Sequence, residues 1–203
     1  MSAADTPAKR APEEVAFDPN HEMYWAPALC RLLHYRHGAV VAGFVEVGML
    51  SMVVATIISW HFQNGLTNVV LAWSLLFVLV GACVTTIIMI IGIFREKPSY
   101  FGPELMFLQF EMMLLLIGAA VSIASMSFGI EVTHYLFSIF VSVHQMEDNF
   151  GPIWPFNVAL LSFSGAAAAL WSHILVKGCQ DYLLDKQYFE AIENNKIEMK
   201  RPM

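Results

Sequence analysis

Four long stretches, residues 38–60, 69–94, 104–128 and 153–176, are apolar almost throughout and account for about half of this chain. About 20 residues rising 1.5 Å each cover the roughly 30 Å of hydrocarbon in a bilayer, and every stretch reaches that length. Lipid offers the backbone no hydrogen-bond partner, so each stretch is expected to fold as a helix. The predicted fold class is therefore an all-α membrane protein, a four-helix transmembrane bundle. With 57% hydrophobic residues and a mean hydropathy of +0.58, the composition points the same way and away from a soluble domain.

Charge sets the expected orientation. All eleven Lys and Arg fall before residue 38, between residues 95 and 103, or after residue 176. The segments 61–68 and 129–152 contain none. The positive-inside rule then predicts cytosolic N and C termini and a cytosolic 95–103 turn. The organisation read from this is a disordered to juxtamembrane tail at 1–37 and a transmembrane domain at 38–176. Within that domain lies an extracytosolic loop at 129–152. A partly helical cytosolic tail at 177–203 completes the chain. The run 135–143 is too short to span and is expected to lie in the interface or to cap the bundle. Leu184, Tyr188 and Ile192 recur every four residues, one stripe of a helix in the C-terminal tail.

One glutamate, Glu46, interrupts the first apolar stretch, and a carboxylate at that depth costs several kcal/mol unless it is paired, protonated or wetted. Counting inward from the charged ends places Glu46, Thr86 and Glu111 each about 12 Å deep. His173 on the fourth span lies roughly a turn shallower. Ala39, Ala42 and Gly43 flank Glu46, and Gly118, Ala119 and Ser122 share the face of Glu111. Small residues let helices approach closely, so both carboxyls are expected to point into the bundle and to share a proton there. Two readings follow for the layer Glu46, Thr86, Glu111 and His173. In one it fixes helix register as a polar cluster, and in the other it relays a proton or cation. The structural reading is preferred, because no polar pathway continues toward the far side.

At the far end, His61, His134 and His144 stand near Glu131, Glu147 and Asp148, a set suited either to sensing an acidic lumen or to ordinary loop polarity. Cys30 and Cys179 are juxtamembrane and are candidates for palmitoylation. With no HxxxH or CxxC spacing, no metal is expected, and no cofactor. GxSxG, GxGxxG and P-loop patterns are absent, so no catalytic residue is assigned and an enzyme is not expected. No basic patch is large enough for nucleic acid. The partners expected are the lipid bilayer and other integral membrane proteins, in homo- or hetero-oligomers.

The stretch CRLLHYRHGAVVAGFVEVG at 30–48 resembles the entry to the first span of the lysosome-associated protein transmembrane family and its nematode relatives. WSHILVKGCQDYLLDKQYF at 171–189 is similar to that family's exit from its fourth span. The resemblance implies four spans, cytosolic termini and an endosomal or lysosomal membrane, with the plasma membrane as the alternative location. It also implies a role in sorting or regulating other membrane proteins. The PPxY motif through which family members recruit ubiquitin ligases does not occur in this tail, and Cys30 alone stands where the family has several cysteines. The functional expectation is a non-enzymatic four-span protein that binds, sorts or regulates membrane proteins. Its rival is a small proton-coupled carrier or transporter subunit.

Overall fold

A computed structural model describes residues 17–19 and 21–199. Residues 1–16, most of the expected disordered tail, lie outside the described residues. Six α-helices follow in order: α1 (Tyr35–Asn64), α2 (Val69–Arg95), α3 (Gly102–Phe128), α4 (Ile130–Phe137), α5 (Val143–Phe150) and α6 (Trp154–Met199). No strand occurs among the described residues, only two isolated bridges, Trp25 with His34 and Thr67 with Val141. Helices α1, α2, α3 (with the preceding turn) and α6 are each long and apolar enough to cross a membrane. The chain is thus an all-helical, multi-pass membrane protein.

The helices form a closed ring. α1 packs on α2 and α6, and α3 packs on α2 and, most extensively, on α6, which leaves α1 and α3 on the diagonal. Each helix buries one stripe. On α2 it is Ala82, Thr86, Met89 and Ile93, and on α1 it is Ala39, Ala42, Glu46 and Val54. The outward faces stay apolar, with Phe44, Phe77, Phe110 and Leu161 among the exposed side chains, as lipid contact requires. Hydrocarbon gives no hydrophobic drive between helices, so close packing of small residues must hold them.

Short caps set the ends. The imidazole Nδ1 of His34 accepts from the backbone N–H of Arg36 at 3.2 Å and starts α1. Burial holds this imidazole below its ordinary range, which keeps the neutral form that can accept the bond. α1 stops at Gly65, whose φ of 62° suits a residue without Cβ. At the end away from the termini, α4 and α5 close the bundle. Leu66, Val141, Val143, Met146 and Trp154 form their core, and the Asn68 amide donates to the carbonyls of Ser138 and Ile139 at 2.9 Å each.

At the other end α6 runs through residue 176, joining the fourth apolar stretch to the helix expected in the tail. It continues as one helix of 46 residues, about 69 Å long. The buried stripe Ala166, Ala169, Ser172, Val176, Cys179 and Leu183 runs on at spacings of three and four, so the helix keeps packing partners as far as Leu183. Gly178 lies within this helix where the Tyr35 ring packs on it and would overlap any Cβ. The lead-in before α1 makes two 3-10 turns, Glu22–Tyr24 and Pro27–Leu29, and docks on this extension. Tyr24 meets Tyr182 edge-on at 4.9 Å, its hydroxyl donates to Asp185 at 3.2 Å, and Phe17 packs on Phe189 at 5.7 Å. The α2–α3 turn joins in through Glu96, which is paired with both Arg36 and Lys186.

Two outcomes are expected. Gly178→Ala pushes α1 off α6 and costs about 1–3 kcal/mol of stability, read as a lower unfolding midpoint in detergent. Gly48→Ala, where nothing lies within 4 Å of the new carbon, leaves that midpoint unchanged or slightly raised. Because the folded His34 binds its proton less readily than the unfolded one, its contribution is present above the ordinary histidine pKa, about 6.5. The contribution is lost as pH falls through the lower folded value. His34→Asn keeps a cap without that dependence, so unfolding midpoints from pH 7.5 to 5 should fall less for the variant than for the parent.

Candidate functional site

The buried polar layer begins with the small residues of α1. Gly43 lets α2 approach so closely that a Cβ there would sit 2.7 Å from the Thr86 methyl. That contact sets Thr86 into the bundle, one turn from Glu46 in depth. A helical threonine ordinarily donates back to its own helix, as Thr85 does to the carbonyls of Gly81 and Ala82 at 3.2 Å. Thr86 instead donates across the helix interface to Glu104 Oε1 of α3 at 3.3 Å.

Glu104 is the centre of the layer. It lies in the first turn of α3, between the buried Phe101 and Leu108, and is 0% exposed. Its position in the first turn of α3 places it at the positive end of the helix dipole, which favours negative charge there. Glu46, 6% exposed, reaches toward it from α1, and the two carboxyls feel each other's charge. Glu111 is two turns along the same face of α3 and feels the charge of Glu104. Both Glu46 oxygens, Glu104 Oε2 and Glu111 Oε2 are buried without a hydrogen-bond partner among the described residues.

Among the described residues, no ion pair joins a cation to these acids. Arg36 and Lys186 are drawn to Glu96, Lys177 to Asp181 and Arg31 to Glu22, all at the terminal end. Two ionised carboxylates in contact would repel strongly in so dry a place. One proton between Glu46 and Glu104 turns that repulsion into a hydrogen bond and satisfies an orphaned oxygen. The arrangement can therefore hold a proton between diagonal helices, clamp α1 to α3, or exchange that proton.

The remaining predicted residues are dispersed. Glu46 and Thr86 meet at Glu104, and Glu111 flanks them. His173 does not join: its Nε2 lies 3.2 Å from the Gln109 amide on an exposed part of the α3–α6 seam. His61 Nδ1 stands 2.6 Å from the Thr67 carbonyl, which can only accept, so that nitrogen carries the proton. His134 and His144 stand 3.8 Å from Glu147 and Asp148 respectively, and the three histidines serve separate contacts. Among the described residues, no three His, Cys, Asp or Glu side chains are grouped to hold a metal. Cys30 is exposed and open to acylation, whereas Cys179 is sealed between helices.

Glu104 was missed because, beside Pro103, it reads as the polar edge of a span. Its spacing of seven from Glu111 was the available signal, since i and i+7 share a helix face.

Replacing Glu104 by Ala strips Thr86 of its partner and opens a hole, an expected loss of about 2–4 kcal/mol by detergent unfolding. Glu46→Gln retains an acceptor and supplies N–H donors toward Glu104, so its midpoint should stay within about 1 kcal/mol of the parent.

The chain is 36% identical over 188 residues to Protein cuti-1 of Caenorhabditis elegans, a match that spans 90% of this chain and 91% of that protein. No family model matches, and no solved structure does.

Proposed function

We propose that this chain, which belongs to the family of Protein cuti-1 from Caenorhabditis elegans, is a non-enzymatic four-span membrane protein that binds, sorts or regulates other membrane proteins. The observation that carries the reading is the unbroken α6. It leaves the bundle as a braced arm on which Leu184 and Tyr188 remain 47% and 65% exposed, beyond the level where Tyr35 meets Gly178. An arm held by Phe17, Tyr24 and the Glu96 pairs is preorganised, so a partner docking on it orders little chain.

The positive charges cluster at this end, which supports placing both termini and the arm in the cytosol. The resemblance to the lysosome-associated protein transmembrane family supports an endosomal or lysosomal membrane. Its two similar stretches, 30–48 and 171–189, are also the two that meet where α1 starts on α6. Trp171 adds to that junction by donating to the Ala28 carbonyl at 3.1 Å. Purification of tagged protein from native membranes tests the proposal. Leu184→Asp with Tyr188→Asp should reduce co-purifying membrane proteins at least threefold while the unfolding midpoint holds. An unchanged set of partners would remove the arm from the account.

A second reading, a proton-coupled carrier or transporter subunit, is favoured by the three carboxyls that face one another without a cation. In reconstituted vesicles it requires a proton or solute flux that Glu46→Gln, Glu104→Gln or Glu111→Gln lowers at least tenfold. Stable variants with undiminished flux, or no flux in the parent, would exclude it.

A further inference from the structure

We propose that the cavity at the start of α1 is a headgroup site for an anionic glycerophospholipid whose acyl chains run down the outer face of that helix. The cavity encloses about 370 Å³ and is walled by Trp25, Leu32, His34, Arg36, His37 and Tyr182, among others. That is within the size range of small-molecule sites. Its floor is the first turn of a membrane-crossing helix, so it lies at the depth where hydrocarbon gives way to headgroups.

Its walls divide by chemistry as such a ligand requires. Leu32 and the Trp25 indole supply the apolar rim, and an indole at this depth is at home in the interface. Arg36 and His37 supply donors, and no acidic side chain lines the cavity. Lys186 reaches both Glu96 and Glu190, so Arg36 is not the sole partner on which Glu96 depends. Arg36 approaches Glu96 at 3.7 Å and the Ile93 carbonyl at 3.4 Å. These contacts are long for a guanidinium, and its remaining N–H groups can turn to a phosphate. Glu22 lies in the adjoining hollow, where Arg31 answers it at 3.8 Å.

A continuous track for the acyl chains favours a lipid over a soluble anion. From His37 the exposed face of α1 descends through Val41, Phe44, Val45, Gly48 and Met52, at helical spacings that keep one side of the cylinder. At Gly48 nothing lies within 4 Å of an added Cβ, so that face is open there. His37, at the top of this face, is also part of the cavity wall.

Native mass spectrometry of the full chain in detergent tests the site, with phosphatidylserine, phosphatidylcholine and inorganic phosphate as probes. Phosphatidylserine should be retained at least fivefold more tightly than phosphatidylcholine, and inorganic phosphate should not compete at equal concentration. Arg36→Gln should cut that preference at least threefold and Arg36→Lys should restore part of it. Lys177→Gln, at the same end but outside the cavity walls, should leave it intact. If Arg36→Gln does not fold, His37→Glu on the same wall carries the test, with the same loss expected. Equal retention of the two lipids, or a preference that survives both substitutions, overturns the site. Full competition by inorganic phosphate makes it a soluble-anion site and overturns the lipid assignment.

Discussion

The Tyr35 ring lies against Gly178, and most of the terminal end of this molecule depends on that contact. The missing side chain lets the first turn of α1 touch α6 and sets the level at which the two helices cross. With α6 held there, its buried stripe continues past the membrane span, and the lead-in folds back to cover it. Tyr24 and His34 both meet Tyr182 edge to face because the backbones beneath them have been brought together. The Glu96 pairs then tie the α2–α3 turn to the same arm. Surface ion pairs of this kind are worth little singly. Their effect here is geometric, fixing α2, α3 and α6 to one another where the helices leave the bundle.

Deeper in the bundle a different constraint rules. Gly43 removes the side chain that would hold α1 away from α2, and Thr86 then points at Glu104 instead of its own helix. A buried carboxyl that receives one hydroxyl and faces a second carboxyl is stable only with a proton in the pair. That requirement links the diagonal helices α1 and α3, which otherwise share little surface. The same contact that orders the fold is thus the one with chemistry to offer. For this reason partner binding and proton exchange are separated by flux measurements and not by stability alone.

Much of the architecture was legible in one dimension. Four apolar runs predict four crossing helices, and the helices stand where the runs do, with ends shifted by up to four residues except at α6. Small residues beside Glu46 predict an inward carboxyl, and Glu46 is buried. The site itself was only half legible. Glu104 carried the look of a helix start, and His173 carried a depth close to the layer, yet the first became its centre and the second turned to Gln109. The fourth apolar run ends near residue 176 and the stripe after it predicts a helix in the tail; in the structure the two are one continuous α6.

Hydropathy and length alone determined the number of crossings, the all-helical class and the outward apolar faces, because lipid imposes those demands on each segment independently of its neighbours. Rotation of each helix about its axis, the partner each polar group finds and the point where α6 ends were decided only in three dimensions. They depend on which surfaces approach closely enough to touch, as the Tyr35 ring on Gly178 and the Thr86 hydroxyl on Glu104 do, and no single segment encodes both halves of such a contact.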